Sequence, residues 1–301
     1  MKNKIKIAML GGDRRQLMSL DKLSERYGEI NIWGIGESYL SEHKGAVLFD
    51  DPYECIDGCN VVLLPLPAST DSKYLSCPLF EGKDRLKLSA LAQKLSKGCT
   101  VIGGRLPEDF AREAGESGAR IEDYFLSEVF QIKNAYATAE AAVSIAMNTL
   151  DKNIRGSSIA ITGYGRIAKH LARLLTSLGA RVTVTARNEK ELAWAEYLGC
   201  RMLVLDSAKA SLKELLRGYD VIYNTVPSWL FDREYLEKLD KRTLLVDLAS
   251  APGGVDIRAA KEIGANVNWA TSLPGKYAPR SAGELIAECV IKIISEEVSS
   301  P

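Results

Sequence analysis

This chain has no excess of either charge: 39 Lys and Arg against 39 Asp and Glu give a formal net charge of zero. That excludes the basic field needed to hold nucleic acid or an anionic membrane, and it favours small-molecule partners. Long apolar runs are also missing. Met1-Lys2-Asn3-Lys4 followed by Ile5 to Leu10 mimics the charged start of a signal peptide, but the run is too short and leads into Gly11-Gly12-Asp13-Arg14-Arg15. It is expected to be a first strand of a cytosolic protein. The six cysteines, Cys55, Cys59, Cys77, Cys99, Cys200 and Cys289, form no C-x-x-C pair and have no partner histidines at metal spacing. They read as reduced packing residues, and no metal site is expected. Low-complexity tracts, a Walker loop and a Ser-His-Asp arrangement are absent as well. Only two histidines occur, His43 and His170.

What is present is an ordinary globular composition, 46% hydrophobic over 301 residues, enough for about two domains. Short strands rich in Ile, Val and Leu alternate with helical stretches, and they do so twice. The first half offers strands at Lys4 to Leu10, Ile30 to Gly34, Asn60 to Leu64, Thr100 to Ile102 and near Ala119 to Ile121, with helices at Arg14 to Tyr27 and Leu86 to Lys97. The second offers Ser158 to Thr162, Arg181 to Ala186, Met202 to Leu205, Val221 to Asn224, Leu244 to Leu248 and Asn266 to Trp269. An Ala-rich stretch, Tyr136 to Leu150, reads as one connecting helix. In Ser281 to Ser295, apolar residues at Leu285, Ile286, Cys289, Val290, Ile293 and Ile294 recur at the helical period. The expected class is α/β, with two Rossmann-like doubly wound parallel-sheet domains joined by that helix. Residues 1–135 form the substrate domain, 136–152 the connecting helix and 153–280 the NAD(P)-binding domain, while 281–301 form a C-terminal helix packing back toward the first domain.

The most telling segment is Ser158 to Ala168, an apolar strand entering Gly163-Tyr164-Gly165-Arg166-Ile167-Ala168. Gly163 permits a tight turn, Gly165 lets the backbone approach a pyrophosphate, and Ala168 allows close helix packing. The helix N-terminus that follows favours the anion. An acid usually meets the ribose 2′-hydroxyl about 20 residues on. Here Thr185-Ala186-Arg187-Asn188 stands there instead. Arg187 can pair with a 2′-phosphate and Asn188 can donate to it, whereas Glu189 and Glu191 read as first-turn acids of the next helix. NADP is the expected cofactor, with NAD possible and Arg187 as a plain solvated charge the alternative.

Ligands of such sheets bind outside the carboxyl ends of the strands, and two such domains joined by a helix create a cleft. Asn224-Thr225-Val226-Pro227 and Asp247 to Gly254, with Ala249 and Ser250, would flank a nicotinamide, or simply turn the chain. Gly11-Gly12-Asp13-Arg14-Arg15-Gln16 would hold a carboxylate with backbone N–H groups and Arg14 or Arg15. Leu64-Pro65-Leu66-Pro67 would lay backbone against a substrate ring, or end a strand. Thr271 to Arg280 reads as a loop that would close the cleft, its Lys276 gripping a carboxylate and Ser281 and Ala282 capping the final helix, or as a Pro-stiffened surface loop. His170 falls inside the nucleotide-binding helix and His43 in a polar stretch, so a histidine-dependent alcohol oxidation is not expected.

These motifs together resemble the A subunit of bacterial dipicolinate synthase. The likeness rests on Gly11 to Gln16, Leu64 to Pro67, Tyr136-Ala137-Thr138-Ala139-Glu140, Gly163 to Arg166, Ala251 to Asp256 and Ser272 to Lys276. One departure is Ala168, where a glycine is familiar. The resemblance implies oxidation of dihydrodipicolinate, or of its hydroxylated tetrahydro precursor after loss of water, to pyridine-2,6-dicarboxylate. NADP would be reduced, in the mother-cell cytoplasm of a sporulating bacterium. It also implies a flavoprotein-like B subunit, and a homo-oligomer is expected. A planar dianion needs cations, for which Arg14, Arg15, Lys276 and Arg280 are candidates, and Lys276, Glu140 or water would accept the proton. Another NAD(P)-dependent dehydrogenase of amino or hydroxy acids, or a non-catalytic nucleotide-binding regulatory subunit, stays open.

Overall fold

The computed structural model describes residues 5–204 and 210–299; Lys4 and Leu205, each at an end of an expected strand, lie outside the described residues. The chain divides into two compact units, Met1–Asn134 with Pro274–Pro301, and Ala135–Leu273. Lys276 and Arg280 thus belong to the first unit, whereas the sequence drew the second domain out to residue 280.

The first unit is one parallel sheet with β1 (Ile7–Leu10), β2 (Ile30–Trp33), β3 (Ala46–Leu48), β4 (Val61–Leu63), β5 (Thr100–Gly103) and β6 (Arg120–Asp123) in the order β3-β2-β1-β4-β5-β6. Its helices are α1 (Arg14–Tyr27), α2 (Glu37–Leu40), α3 (Pro52–Ile56), α4 (Leu88–Lys94) and α5 (Glu108–Glu116). The chain passes into the second unit within α6 (Glu128–Thr149). There β7 (Ser158–Thr162), β8 (Arg181–Ala186), β9 (Arg201–Val204), β10 (Val221–Asn224), β11 (Leu244–Asp247) and β12 (Val267–Trp269) are ordered β12-β11-β10-β7-β8-β9. The helices are α7 (Arg166–Ser177), α8 (Glu189–Tyr197), α9 (Ala210–Lys213), α10 (Arg233–Lys238) and α11 (Ile257–Ile263), before α12 (Leu273–Tyr277) and α13 (Pro279–Ser299).

The central strands are buried on both faces because each sheet is covered on both faces there. In β1, Ile7 and Met9 enter one core with Leu17, Leu20 and Val290, while Ala8 and Leu10 enter the opposite core with Val62, Leu91 and Phe110. In β7, Ile159 and Ile161 lie in one core with Ala142 and Leu171, and Ala160 in the other with Phe231 and Leu245. Within the first unit α13 lies against α1 so closely that a Cβ on Gly283 would stand 2.6 Å from the Arg15 carbonyl oxygen.

Three expectations need correction. β3 and the short helices α2 and α3 escaped the sequence reading because they hold three to five residues, too few for a period to show. The segment expected as a loop from Thr271 to Arg280 is mostly helical: α12 starts at Leu273 and α13 at Pro279. Proline is suited to the first helical turn, where its missing N–H has no partner to lose. Ser281 therefore sits inside α13 rather than capping it.

Candidate functional site

In the second unit the apolar strand β7 ends at Gly163, whose φ of +84° only glycine adopts readily. Its N–H donates to the Thr185 carbonyl at 2.7 Å, which pins the turn to β8. A Cβ here would come within 2.8 Å of both Thr225 Oγ1 and Val226 Cγ2, so these two residues close the turn against the loop after β10. Gly165 caps α7 without a side chain, and a Cβ on it would meet nothing within 4 Å. Its backbone is therefore open to a pyrophosphate, at the helix end that offers unpaired N–H groups. Ala168 is fully buried against the sheet, so alanine serves the packing role of the third glycine. Tyr164 is also a core residue, 3% exposed, and burial pushes its phenol up; what it offers a ligand is backbone. Arg166 is exposed and Ile167 half-buried in the first turn of α7.

Behind this turn lies a buried polar chain that the sequence reading missed. Thr162 Oγ1 donates to Asn224 Oδ1 at 2.6 Å, and Asn224 Nδ2 donates to Asp247 Oδ1 at 2.7 Å. The Asp247 carboxylate also accepts the N–H groups of Ala249 at 3.2 Å and Gly254 at 3.0 Å. All three side chains are fully buried, so the ends of β7, β10 and β11 are held by bonds that water does not compete for. Thr225 Oγ1 donates back to the Thr162 carbonyl at 2.7 Å. Pro227 and Ser250 are exposed, Ala249 is buried. The available signal was a single polar residue closing each apolar strand: Thr162, Asn224 and Asp247.

At the end of β8, Arg187 is exposed and Asn188 caps α8, its Oδ1 accepting from the Lys190 N–H at 2.9 Å. Only the Asn188 amide N–H groups are left for a phosphate. Glu189 and Glu191 fall in the first turn of α8, where they meet its dipole.

In the first unit the equivalent turn is finished differently. Gly11 and Gly12 both have positive φ, and Gly11 is roofed by Cys77 and Ser76: a Cβ would stand 2.8 Å from the Ser76 carbonyl oxygen. Burial pushes the Cys77 thiol up to about 12, which makes it a packing group rather than a nucleophile. Asp13 caps α1 through the Arg15 N–H. Arg15, expected as a free cation, is instead buried: Nη2 reaches Asp13 Oδ2 at 2.8 Å, Nε reaches both carboxylate oxygens at 3.1 Å, and Nη2 also donates to the Leu66 carbonyl. Its charge is already matched, so its work is to tie the β1 turn to the loop after β4. Arg14 is exposed at the first position of α1. Pro65 is buried and Pro67 half-buried.

The third loop reaches the same place. A Cβ on Gly275 would lie 2.9 Å from Asp13 Oδ2 and 3.0 Å from Arg15 Nε, so α12 lies directly over that ion pair. Lys276, the next residue, is exposed, and so is Arg280 at the start of α13. Three motifs far apart in sequence therefore meet at the N-terminus of α1. Glu140 belongs to the second unit; it is exposed and bonded to the Tyr136 hydroxyl, an interaction that raises the Tyr136 phenol. The Tyr136 ring also stands edge-on to His170, with centroids 5.4 Å apart. His43 pairs with Asp21 at 2.8 Å in the first unit.

Comparison with known proteins gives a consistent answer. The N-terminal domain of the dipicolinate synthase A subunit matches residues 6–125, and the NAD binding domain of D-isomer specific 2-hydroxyacid dehydrogenases matches residues 126–256. The chain is 31% identical over 297 residues to the dipicolinate synthase A subunit of Bacillus subtilis strain 168, covering 97% of this chain and 96% of that protein. It superposes on the crystal structure of the dipicolinate synthase A subunit from Bacillus halodurans with a TM-score of 0.84 at 26% identity, covering both chains fully. The corresponding Bacillus subtilis structure gives 0.80 at 28% identity, over 100% of this chain and 99% of that one. The second unit is thus built on a dehydrogenase-type domain for a nicotinamide dinucleotide. No described helix is long and apolar enough to cross a membrane.

Proposed function

The chain belongs to the family of dipicolinate synthase A subunits, and from this we propose that it oxidises dihydrodipicolinate to pyridine-2,6-dicarboxylate with NADP. The hydroxylated tetrahydro precursor would serve after loss of water. The reaction removes a hydride and a proton from the ring, and aromatisation drives it. The observation that carries the reading is the presence of a dehydrogenase-type turn open over Gly165 and of an α1 N-terminus that gathers Arg14, the Asp13–Arg15 pair, the Leu66 carbonyl and Gly275-Lys276.

A bound NADP would supply the hydride acceptor. Gly163, Gly165 and the first N–H groups of α7 suit its pyrophosphate, and Arg187 with the Asn188 amide suits its 2′-phosphate. Thr225, Val226, Ala249 and Ser250 stand at strand ends that the Thr162–Asn224–Asp247 chain holds rigid, as a nicotinamide subsite requires. In the first unit, Arg14, Lys276 and Arg280 are exposed cations for the substrate carboxylates. Arg15 acts by position, fixing Asp13 and the Leu64 to Pro67 loop. Lys276 or Glu140 would accept the proton released as the ring becomes aromatic; the lost proton is activated by that conjugation, so no strongly tuned base is needed. A homo-oligomer, a place in the mother-cell cytoplasm and a flavoprotein-like B subunit complete the reading.

The test is growth of reduced-nicotinamide absorbance with purified protein, freshly generated dihydrodipicolinate and NADP, repeated with NAD and with the B subunit. Reduced cofactor formed together with pyridine-2,6-dicarboxylate supports the reading. Cofactor binding without turnover under every pairing overturns it.

A further inference from the structure

Gln16 is 1% exposed, and neither its Nε2 nor its Oε1 has a hydrogen-bond partner. Buried amides are almost always bonded, and an orphan pair of donor and acceptor is a burden that the fold itself does not explain. Its place does. Gln16 is the third residue of α1, and its Cγ and Cδ lie 2.6 and 3.4 Å from where a Cβ on Gly12 would stand. The side chain thus packs over Gly12 in the turn that precedes α1. The adjoining residue is the locked Arg15, whose guanidinium reaches the Leu66 carbonyl. The Leu66 side chain and the Tyr124 ring both close on Gly104, and the Tyr124 hydroxyl is likewise buried without a partner. Two elements therefore bring orphan polar groups to the cluster where the sequence motifs converge.

We propose that Gln16 is a specificity-determining residue that binds the ring nitrogen and the adjoining carboxylate of a pyridine-type α-carboxylate. This rests on the dehydrogenase reading above for the identity of the substrate class. The chemistry is complementary: such a ring edge presents a nitrogen lone pair and a carboxylate oxygen side by side in one plane. A carboxamide NH₂ can donate one hydrogen to each, and Oε1 can accept from the ring nitrogen when that is protonated. The second carboxylate is left to the exposed cations Arg14 and Lys276. A buried donor aimed at a ring nitrogen discriminates strongly against a ring with C–H there, because the donor is then left unpaired.

The test compares pyridine-2,6-dicarboxylate with benzene-1,3-dicarboxylate, which has the same outline and charge but no ring nitrogen. Binding of each to the full-length protein with NADP is measured by calorimetry, for wild type and for Gln16→Met, which keeps the volume and removes the polar atoms. Wild type should prefer the pyridine by about tenfold or more, the loss expected for one hydrogen bond in a dry site. Gln16→Met should bring the two ligands within about twofold while raising the thermal midpoint, because the orphan amide is gone. Equal binding of the two by wild type, which needs no variant, overturns the assignment, and so does a Gln16→Met protein that keeps the preference. The outcomes separate the two readings: a preference that wild type shows and Gln16→Met loses, without turnover in either, overturns the dehydrogenase activity and leaves Gln16 as a ligand residue. Turnover with an unaltered preference in Gln16→Met overturns Gln16 alone.

Discussion

The turns after β1 and after β7 occupy the same place in two sheets of the same strand order, and they are finished in opposite ways. After β7 the turn is lean: Gly165 has open space over its backbone, and the polar residues behind it satisfy one another. After β1 the turn is crowded, with Cys77 and Ser76 over Gly11, Arg15 spanning Asp13 and Leu66, and Gly275 on that pair. The difference teaches that a doubly wound sheet supplies only a location at its strand ends. What that location can take depends on which side chains fill the turn.

The comparison can be broken most severely at the glycines. Gly163→Val forces a β-branched residue to a φ of +84° and into Thr225 and Val226, and should weaken NADP binding roughly hundredfold, from about 3 kcal/mol of strain. Isothermal titration checks it; retained affinity would sink the lean-turn argument. Next comes Arg15→Ala, which leaves Asp13 and the Leu66 carbonyl without their buried partner and should lower stability by about 3 kcal/mol in denaturant unfolding. Arg14→Ala should leave stability unchanged and raise KM about tenfold. If both arginines behaved alike, their separation into a tie and a ligand would fail.

Asp247→Asn turns one acceptor of three N–H groups into a donor and should cost about 2 kcal/mol, with weaker cofactor binding. Arg187→Ala should reduce the preference for NADP over NAD about tenfold while NAD binding stays as it is; an unchanged ratio would reduce Arg187 to a solvated charge. The smallest effect belongs to the first unit's helix pair. Lys22, at 2.9 Å, and Lys133 hold the Glu288 carboxyl below its ordinary range. A carboxylate depressed on folding stabilises above its unfolded pKa and loses that contribution as pH falls through the folded one. Glu288 is half exposed, so Glu288→Gln should cost only a few tenths of a kcal/mol near neutrality, and nothing once acid has protonated the wild-type residue.

Much of the fold was legible. Helix α1 and strands β7, β8 and β10 run where the sequence placed them, since short periodic segments bounded by Gly or Asn carry both a period and an end. Loop chemistry was less legible. Pro274 and Pro279 read equally as loop stiffeners and as helix starters, and only the backbone decides. Arg15 looked like a ligand because sequence shows a charge without its counter-charge; two residues away Asp13 was already waiting. The Thr162–Asn224–Asp247 chain joins residues 62 and 23 positions apart, which no local window links.

By itself the amino-acid sequence determined the two alternating α/β halves and the glycines that allow a dinucleotide turn. These follow from local periodicity and from backbone angles that only certain residues adopt. Tertiary structure alone decided which charges were matched inside the protein, which polar side chains satisfied one another, and that Gln16 was left with no partner. Each of those depends on what lies across a sheet or over a turn, and packing brings together residues that are distant along the chain.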